Sequence, residues 1–186
     1  ILVTGRDGQV GGELAKALTG LGDIIVMGRA QMDLTDPDAI RKVIRAEEPA
    51  LIINAAAYTA VDLAESEQDL AYAINARAPG VMAEEAKRLG ASLIHYSTDY
   101  VYDGSKPSAW IEADATGPLS VYGKSKLAGE QAIAAVGLSH LIFRTSWVYG
   151  LRGKNFLLTM LRLAQSRPEL SIVSDQIGAP TWSRTI

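Results

Sequence analysis

The stretch ILVTGRDGQVGGEL (residues 1–14) decides the fold, because it joins a short apolar strand to a helical pattern through a glycine-rich turn. Gly5 permits the tight turn, and Gly8 lets the backbone approach a pyrophosphate at the start of the helix. Gly11 allows the helix to pack closely on the strand. This order of strand, glycine loop and helix predicts a unit that binds a dinucleotide.

Apolar runs of strand type recur along the chain and alternate with helical patterns. Pro37 is expected at the first turn of the second helix, after Thr35 or Asp36 as N-cap, and Pro79 is expected to kink or interrupt the third helix. The predicted strands are 1–4, 24–27, 51–54, 92–97, 140–146 and 170–175, and the predicted helices are 10–22, 35–48, 64–90, 121–136 and 155–166.

Strands that are apolar throughout and alternate with amphipathic helices favour a parallel sheet covered on both faces. The predicted fold class is therefore α/β, a Rossmann-type doubly wound sheet with ligands at the carboxyl ends of its strands. Residues 1–150 are predicted to be the NAD(P)-binding domain. Residues 151–186 are predicted to continue it and to begin a smaller C-terminal substrate lobe. Because the chain starts inside a strand and without Met, we expect it to be truncated.

Composition narrows the class of function. The chain is 48% hydrophobic, which is enough for one well-buried domain, and its net charge of −3 argues against nucleic acid or an anionic membrane as partner. The absence of cysteine excludes disulfides, thiolate zinc sites and a cysteine nucleophile. No apolar run reaches the length of a membrane span and no signal peptide is visible. We expect a cytoplasmic protein that acts on a small molecule.

The segment VYGKSKLAGE carries a tyrosine and a lysine at helical spacing, Tyr122 and Lys126, which places both side chains on one face. A lysine ammonium beside a phenol favours the phenolate, so this tyrosine is expected to exchange a proton near neutral pH. Tyr102 and Lys106 repeat the spacing. They lie in YDGSKP (102–107), whose turn-forming residues argue against a helix. Tyr122 and Lys126 are therefore the predicted catalytic pair.

Residues after the second strand bear on the choice of cofactor. No carboxylate ends that strand, and Arg29 follows it, which suits the 2′-phosphate of NADPH. A solvated surface charge is an equally open interpretation of Arg29. Asp33 lies near the usual position of an acid that binds a ribose hydroxyl, which keeps NADH open. NADPH is preferred.

Several polar residues have both a functional and a structural interpretation. Thr98 and its neighbour Ser97 compete for one place beside the tyrosine, since adjacent strand residues point to opposite faces. Asn75 is either a functional amide or a buried amide satisfied by backbone. Trp147 either stacks on a sugar or packs in the core. The histidines are interpreted as structural, and the acidic cluster of residues 62–69 as a solvated face with a metal role left open.

The segments GRDGQVGGEL, NAAAYTAVDLAE, HYSTDYVYDG, YGKSKLAGE, FRTSWVYG and DQIGAPT together resemble the dTDP-4-dehydrorhamnose reductase family. This family belongs to the extended short-chain dehydrogenase/reductase superfamily. The resemblance implies reduction of a 4-keto-6-deoxy sugar nucleotide by NADPH, with NADH as an alternative, Mg²⁺ left open and a homodimer as one possible assembly.

The resemblance also implies roles for individual residues. Tyr122 is the implied proton donor, Lys126 binds the nicotinamide ribose, and Thr98 assists at the substrate oxygen. The implied cofactor-binding residues are Gly5, Gly8, Gln9, Val10, Gly11, Arg29, Asp33, Leu34, Ala57, Tyr58, Thr59, Tyr96, Tyr122 and Lys126, and the implied substrate-binding residues are Thr98, Asp99 and Trp147. No metal ligand is implied.

Two alternatives remain open from the sequence. One is a non-catalytic NADP-binding regulatory subunit similar to the methionine adenosyltransferase β subunit, which can retain the tyrosine–lysine spacing. The other is a different extended reductase or epimerase that acts on another nucleotide sugar.

Overall fold

Five parallel strands form the central sheet, in the order β2-β1-β3-β4-β5. The computed structural model describes residues 1–186. Its strands and helices, in chain order, are β1 (Leu2–Thr4), α1 (Gln9–Ala17), β2 (Ile25–Met27), α2 (Pro37–Glu47), β3 (Leu51–Asn54), α3 (Val61–Ala64), α4 (Gln68–Tyr72), a π-helical turn (Ala73–Arg77), α5 (Ala78–Leu89), β4 (Ser92–Thr98), a 3-10 turn (Asp99–Val101), α6 (Val121–Val136), β5 (His140–Thr145), β6 (Val148–Tyr149), α7 (Phe156–Ala164) and β7 (Thr181–Trp182).

The direction of the crossovers distributes the helices over the two faces of the sheet. From β1 the chain moves outward to β2, and then it crosses back past β1 to β3. Right-handed crossovers in opposite directions put α1 and α2 on opposite faces. The later crossovers run the same way as that of α2, and α2, α5 and α6 accordingly pack side by side. The predicted doubly wound α/β fold is confirmed, with its crevice at the carboxyl ends of β1 and β3.

The main core lies between the sheet and the layer formed by α2, α5 and α6. Of the two expected N-caps of α2, Thr35 and Asp36, the structure shows Asp36, whose carboxylate accepts hydrogen bonds from the amides of Asp38 and Ala39. The largest fully buried apolar side chains of this core are Leu2, Ile40, Ile44, Ile52, Met82, Leu93 and Ile133. None of the helices combines the length and the apolar composition that crossing a bilayer requires.

The helix predicted over 64–90 is interrupted, and the interruption begins before Pro79. Pro79 has no amide hydrogen to donate to the carbonyl of Asn75, and the backbone widens into the π-helical turn at that point. Gly129 of α6 lies against the same carbonyl, where a Cβ would collide with the oxygen. The turn therefore sits where two helices approach most closely.

The strand predicted over 170–175 is wrong. This segment forms no ladder, and Ile172 and Val173 are exposed. An apolar run becomes a strand only where a neighbouring strand takes its backbone hydrogen bonds, and β5 ends the five-stranded sheet. β6 instead pairs with β7 in a separate parallel ladder. The division of the chain at residue 150 stays a prediction.

A buried carboxylate joins α2 to α5. The side chain of Glu85 accepts hydrogen bonds from Nε of Arg45 and Nε of Arg88, each at 2.9 Å. The hydrogen bonds from Arg45 are the largest cause, and with those from Arg88 they lower the pKa of Glu85 to about 2. Because the folded-state pKa lies below the ordinary value of 4.5, the ionised form stabilises the fold above that pH.

We expect Glu85→Gln to lower the free energy of unfolding by about 2 kcal/mol at pH 7, a value kept modest because both arginines are half-exposed. The difference should shrink as the pH falls from 4.5 towards 2, where the wild-type carboxylate is protonated. Urea unfolding across this pH range measures it. The exposed neighbour Glu84 is the matched control, and Glu84→Gln should change the stability by less than about 0.5 kcal/mol. Equal losses in both variants would contradict the assignment.

Candidate active site

A cleft of about 640 Å³ opens at the carboxyl ends of the strands, at the point where the strand order reverses. It is lined by the glycine loop, by the ends of β2, β3 and β4, and by the start of α6. All of the predicted cofactor-binding residues except Gly11 line this cleft. They are Gly5, Gly8, Gln9, Val10, Arg29, Asp33, Leu34, Ala57, Tyr58, Thr59, Tyr96, Tyr122 and Lys126. A volume of this size accommodates a nucleotide cofactor.

The glycine loop has the geometry of a pyrophosphate cradle. Gly5 adopts a φ of +80°, and a Cβ there would lie 2.8 Å from the carbonyl oxygen of Ala55. Gly11 is not a cleft residue, because it packs against the carbonyl of Gly5, where any side chain would collide. Gly8 is the N-cap of α1 and supplies no side-chain cap. The first amides of this helix are therefore available to an anion.

Two arginines and two carboxylates meet where β2 ends, since Arg6 pairs with Asp7 at 3.4 Å and Arg29 acts on Asp33. Arg29 is exposed on the cleft wall, and the guanidinium of Arg6 lies 3.1 Å from where a Cβ on Gly28 would be. The amide and hydroxyl of Thr35 lower the pKa of Asp33, and Arg29 lowers it further. Arg6 was not predicted from the sequence. Its place inside the glycine loop, next to the strand end, was the available signal.

Asn75 holds the segment that follows β3. Its Oδ1 accepts a hydrogen bond from the amide of Tyr58 at 2.9 Å, and its Nδ2 donates to the carbonyl of Tyr58 at 3.0 Å. Nδ2 also donates to the Ser125 hydroxyl at 3.1 Å. Of the two interpretations of Asn75, the structure shows the buried amide satisfied by backbone. Asn75 thereby ties the cleft wall to α6.

Tyr122 and Lys126 lie one turn apart near the start of α6, and both line the cleft. Ser120 caps this helix and accepts a hydrogen bond from the Gly123 amide at 3.1 Å. Burial raises the pKa of Tyr122, the Thr98 hydroxyl opposes the rise, and Asp99 adds to it. Tyr122 also packs edge-on against Tyr100.

Lys126 is 1% exposed and its ammonium points into the protein. Nζ lies 2.7 Å from the carbonyl oxygen of Tyr96 and 3.2 Å from Nε2 of His95. Burial lowers its pKa to about 8, although Glu130 acts in the opposite direction. Burial dominates the pKa of Tyr122 in this structure and Nζ of Lys126 bonds to the Tyr96 carbonyl, so the expectation that Lys126 lowers the pKa of Tyr122 stays a prediction.

The second tyrosine–lysine pair is not on a helix, as expected from its turn residues. Tyr102 stacks on Trp110, and its hydroxyl donates to the carbonyl of Ile111 at 3.0 Å and accepts from Arg144. Lys106 pairs with Asp114 instead. This pair organises the loop of residues 102–120 and lies outside the cleft.

Ser97 and Thr98 point to opposite sides, as strand geometry requires. The hydroxyl of Ser97 donates to the buried carboxylate of Glu130, whereas Thr98 lies beside Tyr122. The Thr98 hydroxyl contacts Oδ1 of Asp99 at 3.3 Å, and burial raises the pKa of that carboxyl. Ser97 lines the cleft but its hydroxyl is engaged by Glu130, so Thr98 is the hydroxyl that lies beside Tyr122.

The predicted substrate residues Thr98, Asp99 and Trp147 do not line the cleft itself. Trp147 is 47% exposed, has a φ of +45° and contacts Gly178. Core packing therefore does not account for this indole. Its contact with a sugar stays a prediction.

All four acidic residues between 62 and 69 are exposed, and two of them, Glu65 and Glu67, accept hydrogen bonds from other elements. Glu65 accepts from the amide of Val121 at 2.8 Å, and Glu67 accepts from the hydroxyl of Tyr58 at 2.7 Å. Nowhere in residues 1–186 do three or more acidic or histidine side chains gather as a metal site would require. Glu65 instead anchors the start of α6, and Glu67 orients a tyrosine of the cleft.

The contacts between the glycine loop and residues 148–155 were not predicted from the sequence. The side chain of Gln9 donates to the carbonyl of Val148 at 3.2 Å and accepts from Nδ2 of Asn155 at 2.8 Å. Lys154 lines the cleft nearby. These contacts join residues more than 130 positions apart, and no local pattern announces them.

Comparison with known proteins places these residues in a family. The family model described as RmlD substrate binding domain matches residues 1–186. A dTDP-4-dehydrorhamnose reductase of Burkholderia thailandensis is 53% identical over 186 residues, which are 100% of this chain and 62% of that protein. One from Escherichia coli K12 is 50% identical over 190 residues, with 100% of this chain and 64% of that protein covered.

A solved structure agrees with the sequence comparison. The dTDP-4-dehydrorhamnose reductase of Bacillus anthracis in complex with NADP has a TM-score of 0.94 and 42% identity, over 98% of this chain and 65% of that one. The chain therefore spans less than two thirds of the length of these relatives. Since the match extends over every residue that builds the cleft, the chain belongs to the RmlD substrate binding domain family.

Proposed function

We propose that the full-length protein reduces dTDP-4-dehydro-β-L-rhamnose to dTDP-L-rhamnose with NADPH, in dTDP-L-rhamnose synthesis. The observation that carries this proposal is the placement of Tyr122 and Lys126 in the same cleft as the glycine loop. A proton donor beside a dinucleotide cradle is what reduction of a carbonyl to an alcohol requires. The proposed substrate is inferred from the names of the relatives at 50% and 53% identity.

Individual residues of the chain have separate roles in the proposed reduction. NADPH, when bound, supplies the hydride for C4 of the keto sugar. The phenol of Tyr122 donates its proton to the developing alkoxide, and the raised pKa keeps that proton in place until it is needed. Thr98 hydrogen-bonds the same oxygen, and the amides at the start of α1 bind the pyrophosphate. Lys126 is expected to bind the nicotinamide ribose.

The preference for NADPH rests on the two arginines at the end of β2. Arg6 and Arg29 line the cleft at this end, and we expect their guanidinium groups to bind a 2′-phosphate, with Arg6 exchanging its ion pair with Asp7 for the phosphate. The solved relative in complex with NADP is consistent with this choice. NADH is an alternative cofactor. A cytoplasmic location, a homodimer and any use of Mg²⁺ stay predictions.

Turnover tests the function directly. Full-length protein should oxidise NADPH on addition of dTDP-4-dehydro-β-L-rhamnose and yield dTDP-L-rhamnose, followed by absorbance and by chromatography of the product. If the protein binds NADPH but turns over no sugar nucleotide, the reductase function is wrong and a regulatory binding role replaces it. Turnover only of another 4-keto sugar nucleotide would instead correct the substrate.

The proposed role of Tyr122 as proton donor can be tested by comparison with Tyr102, the other tyrosine that has a lysine four positions later. We expect Tyr122→Phe to lower kcat by ~10²–10⁴-fold with little effect on NADPH binding, because only the transferable proton is removed. Tyr102→Phe removes the same hydroxyl from the other tyrosine–lysine pair and should leave kcat within about threefold. Steady-state kinetics with both variants decides. Full activity in Tyr122→Phe would remove Tyr122 from its assigned role.

The proposed contact of Arg29 with the 2′-phosphate can be tested in one variant, with NADH as the control cofactor. Arg29→Met should raise KM for NADPH about 10-fold or more, since a charge-assisted hydrogen bond of roughly 1.5–3 kcal/mol is lost. KM for NADH, which has no 2′-phosphate, should change little in the same variant. Parallel losses with both cofactors would show that Arg29 does not read the 2′-phosphate.

A further inference from the structure

The side chain of Gln9 extends from the glycine loop to a segment far along the chain. Its Nε2 donates to the carbonyl of Val148 at 3.2 Å, and its Oε1 accepts from Nδ2 of Asn155 at 2.8 Å. The side chain is partly buried at these contacts. Both ends of the Gln9 amide are therefore bound by the segment of residues 147–155, which we call the Trp147 segment.

The partners of Asn155 determine which way both amides face. Its Oδ1 accepts from the amide of Leu158 at 2.9 Å, at the start of α7, and its Nδ2 donates to the carbonyl of Gly150 at 2.8 Å. A backbone amide only donates and a backbone carbonyl only accepts, so Nδ2 of Asn155 is also the atom that faces Gln9. Gln9 then presents Oε1 to Asn155 and Nε2 to the carbonyl of Val148. Rotating either amide would oppose two donors or two acceptors.

Gln9 provides the only hydrogen bonds between the Trp147 segment and the part of the chain that precedes it. The other partners of the segment lie within it or after it, as in the bonds from the amides of Thr181 and Ser183 to its carbonyls. Residues 151–154 are exposed. The hydrogen bonding between this segment and the layers of the nucleotide-binding fold therefore passes through one glutamine amide.

Glycines allow the segment to pack this closely. Gly153 has a φ of +68°, and a Cβ there would lie 3.3 Å from Cγ of Gln9. Gly150 is buried, and a Cβ there would collide with the hydroxyl of Ser183. The segment is therefore fitted against the glutamine on one side and against Ser183 on the other.

The segment begins with Trp147, the predicted substrate residue. Its indole is 47% exposed, and its φ of +45° lies in the left-handed region that favours glycine. Such a conformation persists in a tryptophan only where the surroundings hold it. Its own carbonyl accepts from the Thr181 amide at 3.2 Å, and the next carbonyl, that of Val148, accepts from Gln9. The Gln9 side chain is thus one of the contacts that hold Trp147 in place.

Gln9 is also the first residue of α1, where the helix amides are available to an anion. We propose that Gln9 is a positioning residue for the sugar: its backbone contributes to the pyrophosphate site, whereas its side chain holds Trp147 where the substrate binds. This inference rests on the proposed function and assigns the side chain to the substrate rather than to the cofactor. Because a substitution leaves the backbone amide in place, the two roles can be separated.

Hydrogen exchange in the cofactor-free, full-length protein tests the contact without any turnover. Gln9→Met keeps a side chain of similar length and removes both hydrogen bonds. We expect the amides of Thr181 and Ser183, which bond to the Trp147 segment, to exchange about 10-fold faster, while those of the central sheet stay unchanged. Gln68→Met is the matched control, since this exposed amide bonds only to the nearby carbonyl of Glu65. Unchanged exchange at Thr181 and Ser183 in Gln9→Met would overturn the proposal.

Binding and steady-state kinetics test whether this contact serves the sugar. Gln9→Met should raise KM for the sugar nucleotide about 5–10-fold and leave Kd for NADPH, measured by nicotinamide fluorescence, within about twofold. A raised Kd for NADPH with an unchanged KM would overturn the proposal, because the side chain would then bind the cofactor. A wild-type protein that turns over no sugar nucleotide would refute the proposed function, whereas hydrogen exchange would still show whether Gln9 holds the segment.

Asn155→Ser is the partner variant, because a serine hydroxyl still caps α7 but is too short to reach Gln9. We expect it to raise KM for the sugar nucleotide as Gln9→Met does. Combining the two changes should add little to either alone, since both remove the contact between the same two side chains. Fully additive effects would overturn the proposal. If Gln9→Met does not fold, Asn155→Ser decides through the same hydrogen-exchange and KM measurements.

Discussion

The close approach of three backbone segments at the glycine loop is the constraint on which the rest of the structure depends. Gly5 has no room for a side chain against the Ala55 carbonyl, and Gly11 has none against Gly5. These contacts bring the start of α1 to the carboxyl ends of β1 and β3. The amides of the helix terminus and the crevice at the reversal of strand order therefore coincide, and the cleft forms there.

Close approaches of α6 to two neighbouring turns place Tyr122 and Lys126 opposite the glycine loop. Gly129 packs on the Asn75 carbonyl of the π-helical turn, and Gly123 packs on the Tyr100 carbonyl. A side chain at Gly129 would push α6 away from the π-helical turn, and one at Gly123 would push it away from the 3-10 turn. With α6 held close, Tyr122 reaches the cleft and Lys126 reaches the buried polar groups behind it. Backbone geometry at small residues thus positions both ends of the site.

Much of the site could be predicted because its signals are local. The glycine spacing, the capping of α2 by Asp36 and the turn residues that separate Tyr102 from a helix each depend on a few neighbouring positions. The errors occur where partners are distant. The run of residues 170–175 has strand composition but no neighbouring strand. The choice between the two interpretations of Asn75 likewise needed its partner, the backbone of Tyr58. Periodicity carries no information about such partners.

The sequence by itself determined the alternation of strands and helices, the dinucleotide loop and the choice of Tyr122 over Tyr102, because short-range sterics and hydrogen bonding dictate them. Only the tertiary structure decided the environment of Tyr122 and Lys126, the proposed catalytic pair. Burial raises the pKa of Tyr122, and His95, interpreted from sequence as structural, faces Lys126. Protonation depends on desolvation and on hydrogen-bond partners brought from β1, β3 and β4, which are set by packing rather than by spacing along the chain.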